Sequence, residues 1–305
     1  GALDIAGGPP RRYFFEVARH FASAEHEQER LEYFASPEGA DDLYTYNQRE
    51  HRSVLEVLDD FKSVSLPLEW LLQLVPALQP RRFSISSSCR VHPGRAHITV
   101  AVVDYKTPFK RHKMGLCSSW LMSLDPSKGS TRVPLWLEHG SMRMPLSLEV
   151  PLILVGPGTG LAPFRSFLQE RALAAREGLP VAPCMLFFGC RNESADFLYR
   201  DELEQFVATG ILEPAIGLQT AFSRDQPQKR YVQHRIEGCA EHVWKLLSEG
   251  KSCIYIAGSA NKMPEDVAEA FRKVAQTCGG MSDAHSKQWL RSMEGSRRYV
   301  VETWS

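Results

Sequence analysis

The residues whose types and spacing indicate chemistry include a glycine-rich turn that follows an apolar run. The sequence PLILVGPGTGLAPFRSFLQE sets Gly156, Gly158 and Gly160 between a predicted strand and a predicted helix. Glycine lets the backbone approach a pyrophosphate closely, and a helix N-terminus supplies unpaired N–H groups and the positive end of its dipole. The turn therefore predicts a nucleotide phosphate site, with Thr159 as a hydroxyl donor. A tight strand-to-helix turn without a ligand is the alternative interpretation.

A basic segment follows a later predicted strand, which ends at Phe222. The segment gathers four cations around a single acid, namely Arg224, Lys229, Arg230 and Arg235 around Asp225. Arginine can form forked hydrogen bonds with a phosphate, lysine neutralises it as a point charge, and Tyr231 can stack on an adenine. We therefore predict a nucleotide with an additional phosphate, NADP rather than NAD; a solvated basic loop is the alternative.

The elements that must position these residues alternate between strands and helices from residue 151 onward. The predicted strands are PLILVG, CMLFFGC, a strand ending at Phe222, CIYIAG and YVVETW. Continuous apolar strands separated by helices of ten or more residues indicate a doubly wound α/β fold with a parallel sheet covered on both faces. Ligands of such sheets bind beyond the carboxyl ends of the strands. The ends that this rule selects are Gly156, Gly189, Ser223 and Gly258.

The first half of the chain has two other periodicities. Apolar residues recur at helical spacing between residues 12 and 78, which predicts a region of short helices, and Pro67 suits the first turn of one of them. From about residue 82, three stretches rich in β-branched or aromatic residues predict strands: RFSISSS, AHITVAVVDY and RVPLWLEH. An antiparallel barrel or sandwich is the expected product.

Composition excludes several classes of protein. The 305 residues contain 36 Lys plus Arg and 36 Asp plus Glu, and this balance disfavours nonspecific nucleic-acid binding and polybasic membrane binding. The seven scattered cysteines disfavour a disulfide framework or a structural zinc site, and no metal site is predicted. No apolar run approaches the roughly 20 residues of a membrane span. We therefore expect a cytosolic protein; its start at Gly1 suggests a fragment of a longer one.

Seven ordered motifs resemble the FAD and NADPH half of the diflavin reductases, in the ferredoxin-NADP reductase superfamily. They are PRRFS at 80–84, GLCSSWL at 115–121, GPGTGLAPFRSFLQER at 156–171, FFGCRNESADFLYRDEL at 187–203, AFSRDQ with KRYVQH within 221–234, YIAGSANKMPEDV at 255–267 and the terminal ETWS. The resemblance implies a helical connecting insert of the FAD domain over residues 1–79. It further implies an antiparallel FAD-binding barrel over 80–149 and a doubly wound NADPH-binding domain over 150–305.

The same resemblance implies the flavin contacts. Phe83 would pack on one face of the isoalloxazine ring, Trp304 would cover the other face and swing aside for nicotinamide, and Ser84 would hydrogen-bond near N5. Ser84 and Trp304 are thus the implied catalytic residues. The remaining FAD contacts would come from His51 (or its neighbour Arg52), Arg81, Arg82, Gly115, Leu116, Cys117 and Ser118.

The NADPH contacts are carried over in the same way. They would come from Gly158, Thr159, Arg191, Ser223, Arg224, Lys229, Arg230, Tyr231, Val232, Gln233 and Asp266. Family members often have tyrosine where Phe83 stands, and cytochrome P450 reductase has a cysteine where Ala257 stands and an acidic residue where Thr303 stands. These departures are similar to the NADPH-dependent diflavin oxidoreductase branch. That branch implies FMN on a flavodoxin-like domain outside this chain, and an anamorsin-type partner in cytosolic iron-sulfur protein assembly.

Two alternatives stay open. The chain could be a fragment of a cytochrome P450 reductase-type electron donor, or a nucleotide-binding regulatory module that has lost catalysis. A separate hypothesis concerns the cations between residues 106 and 113, which could dock an acidic electron-accepting domain. A loop of solvated lysines explains the same residues.

Overall fold

The computed structural model describes residues 3–129 and 131–304, which form two compact units. The first unit contains the described residues of Gly1–Arg82 and Val100–Pro134, and the second contains those of Phe83–Thr99 and Leu135–Ser305. Ser305 of the terminal ETWS motif lies outside the described residues. Both units are therefore discontinuous in sequence, whereas the domains implied by the motifs are continuous; those domain boundaries stay a prediction.

Short helices form most of the first unit, as the apolar spacing predicts. They are α1 (Arg12–Ala18), α2 (Glu25–Ala35), α3 (Ala40–Leu43), α4 (Val54–Asp60) and α5 (Leu68–Leu74). Each of α1, α2 and α4 buries apolar residues three positions apart, exemplified by Phe15 and Ala18, Leu31 and Phe34, and Val54 and Val57. This spacing places them on one helix face, and together they form the apolar core of the unit.

A two-stranded antiparallel sheet completes the first unit. Strands β1 (Asp104–Lys106) and β2 (His112–Met114) pair with each other, and helix α6 (Leu116–Ser123) follows. No strand covers 132–139 in the described chain, and the 82–88 stretch contributes only a single bridge between Ile85 and Ile98. Suitable side chains do not suffice for a strand, because its N–H and C=O groups must also meet those of a neighbour. The barrel therefore stays a prediction.

The turn of this hairpin is tied to the helical region by Glu50, whose side chain is buried. One carboxylate oxygen accepts the Thr107 hydroxyl, and the other accepts the N–H of Phe109 at 2.9 Å. Arg111 donates to the backbone carbonyl of Glu50 at 3.2 Å. The pKa of Glu50 is lowered, because these bonds and nearby arginines outweigh the effect of burial, which alone would raise it.

Glu56 forms the second tie. Its carboxylate caps α4 by accepting the N–H of Ser53 at 2.8 Å, and it pairs with both Arg111 and Lys113 of the hairpin. Burial raises the pKa of Glu56, but the hydrogen bonds from Lys113 and Ser53 prevail and lower it to about 2. Part of the positive charge at 106–113 is therefore paired within the unit, and docking of an electron-accepting domain there stays a prediction. Arg111 and Lys113 are paired with Glu56, and His112 contacts Asp104 at 2.7 Å.

The second unit is built on a five-stranded, fully parallel sheet, as predicted. Its strands are β3 (Leu152–Val155), β4 (Cys184–Cys190), β5 (Leu218–Phe222), β6 (Cys253–Ser259) and β7 (Tyr299–Trp304). They lie in the order β5-β4-β3-β6-β7. The chain moves outward in one direction from β3 to β5 and then returns to the other side of β3 with β6. The topological switch therefore lies at the end of β3, where the glycine-rich turn begins.

Helices cover both faces of this sheet. They are α7 (Leu161–Arg176), α8 (Glu193–Asp196), α9 (Arg200–Ala208), α10 (Val232–Gly238), α11 (Ala240–Ser248), α12 (Met263–Thr277) and α13 (Asp283–Gly295). Ile153 and Val155 pack into the core with α10–α13, whereas Leu152 and Leu154 pack into the core with α7 and α9. The alternation of side chains along β3 thus supplies both cores, which confirms the predicted doubly wound architecture.

Two further observations concern the cysteines and the apolarity of the helices. All seven cysteines are free thiols. Among the helices of the described chain, none has both the length and the apolarity needed to cross a bilayer.

The charge of Glu56 is expected to stabilise the first unit. Replacing Glu56→Gln should lower the free energy of unfolding at pH 7 by about 1–3 kcal/mol, because two cations lose a charged acceptor. Since the folded-state pKa of about 2 lies below the ordinary 4.5, this stabilisation is present above pH 4.5 and is lost as the pH falls towards 2. Chemical denaturation across that pH range should therefore give a shallower acid loss for the variant than for the wild type.

Glu38→Gln provides the matched control, because Glu38 is an exposed glutamate without an ion-pair partner among residues 3–129 and 131–304. Equal acid sensitivity of the Glu56 variant and the wild type would contradict the role assigned to this carboxylate.

Candidate nucleotide and flavin site

The glycine-rich turn lies at the carboxyl end of β3, where residues 158–160 form a short helical turn that leads directly into α7. A Cβ added to Gly160 would lie 2.0 Å from the carbonyl oxygen of Ala257 in β6. Gly158 has φ of +58°, in the left-handed region, and open space around its α-carbon. The glycines thus have separate roles: Gly160 permits close packing on β6, and Gly158 adopts the left-handed conformation that the turn requires.

The loops after β4 and β5 bring three predicted NADP residues together. The N–H of Ser223 donates to Cys190 O at 3.0 Å, and the N–H of Arg224 donates to Arg191 O at 2.8 Å. Asp225 joins the same loops, because its carboxylate accepts the Asn192 side-chain amide at 2.8 Å and the N–H of Glu193 at 2.9 Å. The single acid of the basic segment is therefore engaged in loop structure, and it forms no ion pair with the neighbouring cations in the described chain.

An open cleft of about 310 Å³ lies at the segment that follows β5. It is lined by Gln228, Lys229, Arg230, His234 and Arg235. Lys229 and Arg230 are exposed, as is the nearby Arg224, and none of the three side chains has a hydrogen-bond or ion-pair partner among the described residues. Arg235 differs, because its Nε donates to the backbone carbonyl of Thr220 at 2.6 Å. Three uncompensated cations therefore remain available for an anion.

Residues at the start of α10 form part of the lining of this cleft. Tyr231 is the N-cap residue, 43% exposed, and its ring stacks on that of His234 with centroids 6.0 Å apart. The N–H of Tyr231 donates to His234 Nδ1 at 3.0 Å. The side chain of Val232 is buried in the core, so Val232 can offer a ligand only its backbone, and its contact with NADP stays a prediction. Sequence reasoning missed His234 and Gln228; the spacing of His234, three residues after an N-cap, is the signal that could have identified it.

Gln233 and Asp266 are brought together from α10 and α12. Gln233 Nε2 donates to Asp266 Oδ2 at 3.1 Å. Both residues line a second open cleft, of about 440 Å³, together with His234, Glu237, Glu269 and Lys273. Thr159, in the glycine-rich turn, is half-buried, and its hydroxyl has no hydrogen-bond partner in the described chain.

The predicted pyrophosphate motif of the first unit forms the N-terminal turn of α6. Gly115 is its N-cap, and a Cβ there would lie 2.6 Å from the Val103 side chain. Ser118 is buried, accepts the N–H of Val103 at 3.0 Å and donates to Gly115 O at 3.3 Å. Its hydroxyl thus already has two backbone partners, and its contact with the FAD pyrophosphate stays a prediction. The Ser119 hydroxyl, by contrast, is buried without a partner in the described chain. With the exposed Leu116 and the half-buried Cys117, this turn offers backbone N–H groups and one free hydroxyl to an anion.

The other FAD candidates of the first unit have different surroundings. Arg52 pairs with Asp60 at 2.5 Å and lies over the Tyr46 ring, which leaves the exposed His51 as the candidate of that pair. The guanidinium of Arg81 lies 3.9 Å from the Asp4 carboxylate. Arg82 is exposed and already has an interaction partner.

The candidates for the reacting face belong to the second unit. Phe83 is 36% exposed and Trp304 is 37% exposed, so both rings retain accessible surface. Ser84 is half-buried and its hydroxyl has no hydrogen-bond partner in the described chain. Thus the second unit carries the predicted nicotinamide and flavin-ring contacts, and the first unit carries the predicted FAD pyrophosphate contacts together with His51, Arg81 and Arg82.

These groups fit an organic anionic cofactor better than a metal. Uncompensated arginine and lysine side chains, helix N-termini and exposed aromatic rings are typical partners of nucleotide phosphates and rings. In the described part of the chain, no group of three or more histidine, cysteine or acidic side chains is arranged to hold a metal ion.

Comparison with known families defines the class of protein. Residues 1–120 match the FAD binding domain family, and residues 154–269 match the oxidoreductase NAD-binding domain family. The chain therefore contains an FAD-binding domain and an NAD-binding domain of the oxidoreductases.

Individual relatives narrow this class. NADPH-dependent diflavin oxidoreductase 1 of Arabidopsis thaliana is 54% identical over 307 residues, covering 99% of the chain and 49% of that protein. The protein of the same name from Danio rerio is 47% identical, covering 99% and 50%. NADPH–cytochrome P450 reductase of Musca domestica is 40% identical, covering 97% and 44%. The resemblance to diflavin reductases is therefore confirmed, and the chain spans about half the length of these relatives.

Two glycine substitutions should separate packing from backbone strain in the turn. Gly160→Ala should lower the free energy of unfolding by at least about 3 kcal/mol, because its methyl group would collide with the β6 carbonyl. Gly158→Ala should cost only about 1–2 kcal/mol, the cost of a left-handed conformation for a residue with a Cβ. Urea denaturation of the two variants measures both values, and equal losses would contradict the division of roles.

Proposed function

We propose that this chain binds FAD and NADPH and transfers a hydride from NADPH to FAD, within a longer diflavin reductase. The observation that carries the proposal is the set of uncompensated cations after β5, in the same unit as the glycine-rich turn that lies at the topological switch of the sheet. This arrangement is found in a chain that matches both an FAD-binding and an NAD-binding oxidoreductase family.

In this proposal the second unit holds NADPH. Gly158, Thr159 and the N-terminus of α7 bind the pyrophosphate with N–H and hydroxyl donors. Arg224 and Lys229 bind the 2′-phosphate, and Tyr231 stacks on the adenine. The remaining contacts come from Arg191, Ser223, Arg230, Gln233, Asp266 and the backbone of Val232. The free cations near Tyr231 support this assignment, because a 2′-hydroxyl alone would need no such concentration of positive charge.

FAD would be held by a barrel with a helical insert. The N-terminal turn of α6, from Gly115 to Ser118, would contact the pyrophosphate, with Ser119 as a further hydroxyl donor. Arg81, Arg82 and His51 would complete the binding of its anionic and polar parts. The matched FAD binding domain family over residues 1–120 supports this assignment.

The residues at the reacting face are proposed to orient rather than to exchange protons. When bound, FAD accepts a hydride from NADPH and releases the two electrons singly. Phe83 would stack on the flavin ring, Ser84 would hydrogen-bond near its N5, and Trp304 would cover the opposite face until nicotinamide displaces it. Direct hydride transfer depends on stacking and distance, so alanine at position 257 is compatible with catalysis.

We further propose that electrons pass to FMN on a flavodoxin-like domain outside this chain. The word diflavin in the relatives' name supports a second flavin, and their greater length supports a further domain. Departures from the P450 reductase pattern at Ala257 and Thr303, together with Phe83, favour a cytosolic enzyme. Its electron acceptor would be an anamorsin-type iron-sulfur protein, in iron-sulfur cluster assembly.

A second candidate is a cytochrome P450 reductase-type electron donor, which the 40% identity to the Musca domestica protein favours. Measuring electron transfer from the full-length protein to a cytochrome P450 and to an anamorsin-type protein separates the two. A regulatory module without catalysis is the remaining alternative.

Arg224→Ala should weaken NADPH binding by about 1.5–3 kcal/mol, the range for a lost hydrogen bond to a charged group, and should change NADH binding little. Titration calorimetry with both dinucleotides measures the difference. Glu241→Ala, which changes an exposed charge on α11, is the control. Equal weakening of NADPH and NADH binding would show that Arg224 does not recognise the 2′-phosphate.

Protein loaded with stoichiometric FAD should lose its yellow absorbance when NADPH is added without oxygen. Stopped-flow absorbance spectroscopy measures this bleaching directly. Persistence of the yellow colour, in protein that binds both cofactors, would exclude the proposed enzyme and favour the regulatory module.

A further inference from the structure

Helix α7 presents a polar face to the segment Phe83–Thr99, and both belong to the second unit. Four residues of α7 hydrogen-bond to positions 86–90 of this segment. They are Arg165 with Ser86, Ser166 with Ser87, Gln169 with Ser88, and Glu170 with Ser88 and Arg90. The helix that begins at the glycine-rich turn therefore binds the stretch that follows Phe83 and Ser84.

Arg165 is the most deeply buried cation of this contact, with 9% of its surface exposed. Its Nη1 donates to the carbonyl of Ser86 at 2.8 Å, two residues after Ser84. Its Nε pairs with Glu202 of α9 at 2.5 Å. One guanidinium thus connects the 83–99 segment, the helix after the glycine-rich turn and a second helix.

Gln169, one turn further along α7, extends the same network. Its Oε1 accepts the N–H of Ser88 at 3.0 Å, and its Nε2 donates to Glu202 at 2.6 Å. Glu202 therefore holds Arg165 and Gln169 at once, and both orient the backbone of the 83–99 segment. A network in which each member restrains the next fixes geometry more strongly than isolated bonds do.

Tyr199 secures the far end of the segment. Its hydroxyl lies 2.8 Å from the Thr99 hydroxyl, and its ring lies under the Arg165 guanidinium at 4.3 Å. Its backbone has φ of +55°, which is unfavourable for a residue with a bulky side chain. Strain of this kind persists only where the surrounding contacts impose it, and it is concentrated at functional sites.

The pair of Arg165 with Glu202 is partly buried, and desolvation of such charges offsets part of their attraction, so the pair is a weak source of stability. Its best-supported use is to impose one specific arrangement. Here the contact holds the residues before Ser86 in a defined position relative to the glycine-rich turn at the start of α7.

We propose that Arg165 is a positioning residue that fixes Phe83 and Ser84 relative to the glycine-rich turn. Nucleotide and flavin ring are thereby presented to each other by groups attached to one helix. This inference rests on the proposed function, because it takes Phe83 and Ser84 as flavin contacts and the turn as a NADPH contact.

Arg165→Lys in the full-length holoprotein tests the proposal. The single amino group of lysine can keep the ion pair with Glu202, but it cannot also donate to the Ser86 carbonyl as the guanidinium does. Arg176→Lys is the matched control, since Arg176 is an exposed arginine on the same helix. Hydrogen exchange in cofactor-free protein should show at least tenfold faster exchange over residues 86–90 for Arg165→Lys alone. The flavin reduction rate at saturating NADPH should fall about tenfold, while the Kd for NADPH changes less than twofold.

An unchanged reduction rate despite faster exchange would overturn the positioning role, as would a loss confined to the Kd for NADPH. If Arg165→Lys fails to fold, Glu202→Gln replaces it, because the amide weakens the hold on Arg165 and keeps an acceptor for Gln169. Failure of the wild type to bleach would reject the proposed function. The exchange measurement would still decide whether Arg165 orders the segment.

Discussion

The contact on which the second unit depends is the close approach of Gly160 to the carbonyl of Ala257, a site with no room for a Cβ. It places the glycine-rich turn directly against β6, at the switch point of the sheet, and so sets where α7 begins. Everything that α7 carries is positioned by this start: its apolar side fills one core, and its polar side binds the 83–99 segment. A single packing constraint between two backbones thereby determines the location of the candidate phosphate site and the orientation of its neighbours.

The availability of positive charge also depends on which side chains are paired. The chain is neutral overall, and many of its buried or half-buried cations have a partner, such as Arg111 and Lys113 with Glu56, or Arg165 with Glu202. Arg224, Lys229 and Arg230 are different, because in the described chain Asp225, the one acid of their segment, is bonded to the loop after β4. Unpaired positive charge is therefore found after β5 although the whole chain has no excess of basic residues.

The two units divide the candidate chemistry. The residues that would hold the FAD pyrophosphate belong to the first unit, whereas Phe83, Ser84, Trp304 and all candidate NADPH contacts belong to the second. Phe83 and Ser84 belong to the second unit because the 83–99 segment hydrogen-bonds to α7, although this segment precedes β1 in sequence. The candidate contacts for the flavin ring and for NADPH are thus carried by one compact unit, which favours a constant geometry among them.

The sequence by itself determined the parallel sheet, its helices, the glycine-rich turn and the cationic segment, because these depend on periodicity and local residue type. It also determined the relationship to diflavin reductases, which rests on motifs along nearly the whole chain. Only the tertiary structure decided the pairing of individual side chains: Arg52 with Asp60, the Ser118 hydroxyl with the backbone, Val232 in the core, and His234 at Tyr231. It also decided that the 132–139 stretch forms no strand within the described chain. These contacts depend on which residues, distant in sequence, come together in the folded chain, and the local sequence does not specify that.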